Sequence, residues 1–353
     1  MWPLGGPGRR PHQVRQAVTY SLVLAVVVLA FAAGLPAARE GLYGAGRWAG
    51  RQEQLLRFGG PAQVSEHFLL WCKPVSWGPG LRAGDGQSST AATVDAVGYG
   101  QGVLAAAEDV YLRVAQDMGL TDAAVQRRIP EKIPLVLHSD QASMEKYVGS
   151  LGGIPTAGAY YRGVIHLAAG TWWTGALAHE LTHAILDYTG GPRVPRWFSE
   201  GLAQWEEYRV TGEVLFPPPP AGEMPARVRA GDWRALEEQF PRLSDEVAYG
   251  VAWSVVRFLC TEEEAPPAPP GAVARAVAAL AGGADFPDAL QAGWGKPMTT
   301  LARDWATGQG AATQDWAQSW KGTGADDRER PLEVMVAWPR RYWWSKMSVL
   351  SQN

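Results

Sequence analysis

Two histidines four residues apart, with a glutamate beside the first, are the residues of this chain best suited to chemistry: His179-Glu180-Leu181-Thr182-His183. On a helix, positions four apart share a face and lie about one turn from each other. Two imidazoles so placed can each aim a nitrogen at one metal ion about 2 Å away, which suits zinc. Glu180 then projects beside the ion rather than onto it, the place of a general base acting on water. Leu177, Ala178, Leu181, Ala184, Ile185 and Leu186 make the segment apolar nearly all round, so it is expected to be buried. Charged side chains in such a helix need a reason to be there. The alternative to a metal site is a buried, hydrogen-bonded histidine pair.

A catalytic zinc needs a third protein ligand and an open coordination position. The chain continues through Gly190-Gly191 into Val194-Pro195-Arg196-Trp197-Phe198-Ser199-Glu200-Gly201-Leu202-Ala203. Sixteen residues lie between His183 and Glu200. That is enough to end one helix, turn, and run a second back against it. Gly201 and Ala203 are small and permit close approach of the two helices, so Glu200 is the expected third ligand. Glu206 and Glu207 are further acids, but they fall in a polar stretch and read as a solvated face.

These two segments together, HELTHAIL and PRWFSEGLAQW, resemble the gluzincin zinc peptidases, most closely the peptidase MA-like group. The resemblance runs over roughly residues 95–306 and takes in IPLVLH, AGAYYRGVIHLA, YGVAWSVVRFL and DALQAGWGKPMTTLARDW in similar order. It implies an α+β, zincin-like fold: a small mixed sheet with an edge strand, an active-site helix, and a C-terminal helical subdomain. It also implies that His179, His183 and Glu200 bind one Zn2+ and that Glu180 is the catalytic base. Peptide or protein would be the substrate, its backbone added to the edge strand near Tyr160 to Leu167. Many gluzincins carry an Asp four residues after the ligand glutamate, where it orients a ligand histidine; here that position is Gln204. Asp187, one turn after His183, is either its substitute or an ordinary residue near the helix end. Tyr249 is the candidate donor to the oxyanion, with Tyr161 and His166 as rivals. A non-catalytic scaffold of the same fold is the competing reading, and the intact Glu180 argues against it.

The elements that must position these groups are legible by period. Val103, Leu104, Ala107, Val110, Tyr111 and Val114 step by three and four along one helix face. Ile133 to His138 reads as a strand, and Ser139 or Asp140 as the cap of a helix. Residues 157–168 read as a hairpin or bent edge strand about Gly163. Residues 245–260 read as an amphipathic helix, with shorter helices near 273–280 and 298–306. The 17 tryptophans are scattered and are expected to fill the core. Cys72 and Cys260 are either one disulfide or two buried thiols.

The N-terminus sets the compartment. Residues 1–16 are basic, and the run from Ala17 to Ala38 carries no charge over about the length of a membrane span. With Arg9, Arg10 and Arg15 before it, the positive-inside rule sends the rest of the chain out of the cytoplasm, whether 17–38 is an anchor or a cleaved signal. The expected organisation is then an arm over 39–92, a peptidase domain over 93–306 and a tail over 307–353. Net charge is −3, without the basic excess that nucleic-acid binding requires.

Overall fold

The apolar run Ile133–His138 becomes β3, the middle strand of a five-stranded sheet in the computed structural model of the protein. The structure describes residues 48–49, 52, 63–72, 96–148, 157–169, 173–261 and 268–308. The expected span over 17–38, most of the arm and the tail beyond 308 lie outside the described residues. Among the described residues no helix is long and apolar enough to cross a membrane.

The sheet order is β1 (Gln63–Val64), β2 (Phe68–Cys72), β3, β5 (Val164–Ala168), β4 (Gly158–Tyr161). β2, β3 and β5 are parallel, and β1 and β4 run antiparallel at the edges. Every residue of β3 and β5 is buried, as befits inner strands covered on both faces. Residues 63–72, which the sequence reading assigns to the arm, pair into this sheet through the register Phe68↔Ile133 to Cys72↔Leu137. β4 and β5 form the expected hairpin. Its two turn residues, Arg162 and Gly163, both have positive φ (51° and 81°), the pattern of a type I′ turn matched to strand twist.

Strand alternation sorts the two faces of the sheet. Phe68, Leu70, Leu135, Leu137, Ile165 and Leu167 point into the main core. There they meet α1 (Ala96–Met118), through Val103, Leu104, Ala107, Val110 and Val114, and α4 (Trp173–Thr189). The opposite face carries Trp71, Val136 and Val164, and is covered by α3 (Gln141–Val148), whose Met144 and Val148 pack on Ala168. Asp140 caps α3, its Oδ1 accepting from the Ser143 amide at 2.6 Å. A short α2 (Ala123–Gln126) precedes β3.

Past α4 the chain is helical: α5 (Arg196–Thr211), α6 (Ala226–Arg229), α7 (Trp233–Gln239), α8 (Asp245–Cys260), α9 (Ala272–Ala281), α10 (Phe286–Trp294) and a last stretch over 298–308. α8 is not the amphipathic helix expected over 245–260. Every residue from Val247 to Val256 is buried, because other elements surround the helix. α5 lies directly on it: a Cβ built at Gly201 would stand 2.4 Å from the Ala252 carbonyl oxygen. Trp197, Trp233, Trp253 and Trp305 fill the interior of this half. Cys72 and Cys260 are both free thiols.

Candidate metal centre

Two helices build the site, and the turn between them is fixed by the sequence. α4 stops at Gly190, and Gly191–Arg193 forms one 3-10 turn with Pro192 inside it. The Arg193 guanidinium donates to the carbonyls of Thr189 (3.1 Å) and Leu280 (2.8 Å), so a carbonyl left over at the end of α4 is satisfied. α5 then starts after Pro195 and runs back across α4. Gly175 allows the contact, since a Cβ there would meet Thr211 Cγ2 at 2.7 Å.

The histidine nitrogens converge on one carboxylate oxygen. His183 Nε2 lies 3.4 Å and His179 Nε2 3.7 Å from Glu200 Oε2. Ligands about 2.0–2.1 Å from a tetrahedral ion stand about 3.4 Å from one another, close to both of these distances, and the three groups offer ligand atoms within 4.8 Å of each other. Among the described residues they are the one such group of three. Two imidazoles and a carboxylate can hold a divalent cation and leave a fourth position open.

The other ring nitrogens are also engaged. His183 Nδ1 is 2.8 Å from Ser199 Oγ, and His179 Nδ1 is 3.1 Å from Glu207 Oε2. With the proton on Nδ1 in each ring, Nε2 presents its lone pair to the shared point, as metal-binding histidines do. The expectation that Glu207 belongs to a solvated face is therefore corrected: it orients His179. Seven residues are nearly two helical turns, which returns Glu207 to the face of Glu200. Gln204 has a different partner, its Nε2 donating to the Tyr249 carbonyl at 3.1 Å. Asp187 accepts from the Tyr160 hydroxyl at 2.6 Å, which ties α4 to the edge strand. Glu206, the other acid read as solvated, is 1% exposed.

Glu180 is 8% exposed and held against the edge strand, its Oε2 accepting from the Tyr160 amide at 2.6 Å. The bond from the Ala168 amide to the Ala157 carbonyl sets the antiparallel alternation. It turns the amides of Gly158 and Tyr160 away from β5, toward the open edge. Gly158 makes the approach possible, because a Cβ there would lie 2.9 Å from Glu180 Cγ.

Charge at the site is unbalanced among the protein groups. Burial raises the Glu180 carboxyl above its ordinary range, and the two imidazoles only partly offset this. Burial opposes charge on His179 too, yet hydrogen bonds to Glu200 and Glu207 and the charge of Glu180 push it well above its usual value. Glu200 is held far below the carboxylate range, burial notwithstanding, by His183 and His179. Glu180, Glu200 and Glu207 thus surround two imidazoles in a place nearly closed to water, and a bound cation would relieve that excess.

Tyr249 is brought to the rim of this group. It is 7% exposed, with its ring against Phe216 (5.0 Å between centroids) and Phe240 (5.7 Å). Burial, followed by the charge of Glu200, raises its phenol above the usual value, and the positive charge of Arg196 only partly offsets this. The two rivals face elsewhere. Tyr161 packs with Met144 and Val148 on the far side of the sheet. His166 is fully buried there with its Nδ1 2.9 Å from His138 Nε2, and burial pulls it down to about 3. Strand alternation explains both, since Tyr160 takes the side facing α4. No protein-family model, curated protein or solved structure matches the chain.

Proposed function

We propose that this chain is a zinc-dependent peptidase of gluzincin-like, zincin-type organisation, with His179, His183 and Glu200 as the zinc ligands and Glu180 as the base. The observation that carries the reading is the convergence of two histidine Nε2 atoms on Glu200 Oε2 (3.4 and 3.7 Å) next to a buried glutamate that is not part of that group. Zinc, when bound by such a set, supplies Lewis acidity to water and to a substrate carbonyl.

The chain's own residues supply the rest. Glu180 takes a proton from the attacking water and delivers it to the leaving amine, and burial keeps its basicity suited to both transfers. Its tie to the Tyr160 amide fixes it at the edge strand, so that an extended peptide added along that edge would lie beside it. Glu207 and Ser199 hold the histidine rings in one tautomer. Tyr249 donates to the oxygen on which negative charge develops. The substrate is a peptide or protein outside the cytoplasm, with the chain held at the membrane by residues 17–38; the uncharged run after Arg9, Arg10 and Arg15 supports that placement.

Metal analysis of the purified full chain tests the ligands, and a quenched fluorogenic peptide library tests the chemistry. Near-stoichiometric zinc, lost in His179→Ala, is expected. Glu180→Gln should keep the zinc and lose about 10²–10⁴ in cleavage rate. Wild-type cleavage by Glu180→Gln, or zinc that survives His179→Ala, would end the proposal.

A further inference from the structure

Tyr160 is bonded to α4 twice. Its amide donates to Glu180 Oε2 and its hydroxyl to Asp187 Oδ2, each at 2.6 Å. Glu180 and Asp187 are seven residues apart, nearly two turns, so they share a face of α4 about 10 Å from each other. A tyrosine, with its amide at one end and its hydroxyl at the other, is long enough to serve both. It lies on β4, the edge of the sheet, whose strand partner among the described residues is β5. The side of β4 turned away from β5 is therefore placed by its contacts with α4. Gly158 brings strand and helix together, since a Cβ there would stand 2.9 Å from Glu180 Cγ and 3.3 Å from Ala176 Cβ. Beyond Asp187, the Tyr188 hydroxyl reaches the Gly163 carbonyl at 3.4 Å, so the hairpin follows α4 to its last turn.

We propose that Tyr160 and Asp187 are positioning residues for the base: their hydrogen bond seats β4 on α4, which keeps the Tyr160 amide on Glu180 Oε2 and presents the other carboxylate oxygen to the attacking water. The inference rests on the peptidase reading above. An amide bonded to a carboxylate is charge-assisted and directional. It sets the rotation of the carboxylate about its last bond, a torsion with only broad preferences of its own. The amide belongs to the main chain, so it sits wherever the strand sits. A second bond two turns further along α4 stops β4 from sliding or lifting. A reacting group displaced by about 1 Å loses about 10² in rate, so seating of the strand becomes seating of the base. Neither Tyr160 nor Asp187 belongs to the group formed by His179, His183 and Glu200, so the clamp acts on the base and not on the ion.

The test uses the full chain as wild type, Tyr160→Phe, Asp187→Ala, Asp187→Asn and the Tyr160→Phe/Asp187→Ala double variant, with Tyr160→Phe made again in Glu180→Gln. Zinc affinity is read by chelator competition, kcat and KM on a quenched peptide, and the exchange rate of the residue-160 amide by hydrogen exchange. Tyr160→Phe and Asp187→Ala should each lose about 10- to 100-fold in kcat, with KM and zinc affinity within about threefold of wild type. In both, the residue-160 amide should exchange about tenfold faster. The double variant should be no slower than the slower single, because one contact is removed twice. Asp187→Asn keeps an acceptor oxygen and should recover most of kcat. In Glu180→Gln, adding Tyr160→Phe should cost nothing more, since no base is left to position. Wild-type kcat or amide exchange in Tyr160→Phe, losses that add in the double variant, or an equal loss in Glu180→Gln overturns the inference. A fall in zinc affinity that matches the fall in kcat overturns it too, because Asp187 would then act on the ligands. If the wild type cleaves no peptide the peptidase reading falls, while the exchange rate at residue 160 still decides whether Asp187 holds that amide on Glu180.

Discussion

Glu206 offers the sharpest check on the packing of α5. It is 1% exposed, and its Oε1 has no hydrogen-bond partner among the described residues. The nearby cation Arg209 is paired with Asp117. Burial pushes the carboxyl from its ordinary 4.5 up to about 8. Between those values the folded chain keeps a proton that the unfolded chain has lost. Stability therefore falls as pH rises through that window, and levels off above the folded value. Each pH unit is worth about 1.4 kcal/mol, so the loss is about 3 kcal/mol at pH 7 and about 5 kcal/mol once pH passes 8. Against a total stability of about 5–15 kcal/mol, that is a large fraction. Glu206→Gln keeps the shape and removes the proton equilibrium. It should match wild type near pH 4.5, exceed it by about 3 kcal/mol at pH 7, and exceed it by about 5 kcal/mol above pH 8. Urea unfolding of both proteins from pH 4.5 to 9, at fixed metal content, reads the difference directly. A difference that does not change with pH would refute the burial argument.

Two further outcomes follow from single contacts. Glu207→Gln weakens the acceptor on His179 Nδ1, so zinc affinity by chelator competition should fall about 10- to 100-fold while the melting curve stays in place. An unchanged affinity would remove Glu207 from the site. Gly201→Ala drives a methyl onto the Ala252 carbonyl, 2.4 Å away, and should destabilise the fold by about 1–3 kcal/mol in thermal or urea unfolding. A neutral result would mean that α5 and α8 can separate freely.

Much of the frame was legible where one segment carries its own signal. The helix holding His179 and His183, its stop at Gly190-Gly191, and the strand Ile133–His138 follow from period and punctuation alone. Phe68–Cys72 did not. Five apolar residues can be strand or buried helix, and only pairing with β3 decides between them. α10 went unassigned among the shorter helices although its ends are marked, with Asp285 capping Asp288 and Gly295 closing at φ 71°. Nine residues give too little periodicity to stand out. α8 was found but not its burial, because whether a Tyr, Ser or Gly on the outer face meets water is decided by what packs there.

The site divides along the same line, and the division has a physical cause. On a helix, 3.6 residues per turn fixes which side chains share a face before any partner is known. His179 and His183 could be paired on that arithmetic, and so could Glu200 and Glu207, at a spacing of seven. Glu207 was therefore within reach; the Glu-rich context that made it look solvated outweighed the spacing. On a strand, a shift of one residue reverses every side chain, and register comes only from the neighbouring strand and the helix behind it. Tyr160 and Tyr161 were indistinguishable until β4 met β5 and α4. His166 likewise could not be sent to the far face until Ile165 and Leu167 were seen to fill the main core. An orienting partner offered by a helix can thus be sought from spacing in a lone sequence, while a donor offered by an edge strand has to wait for the sheet.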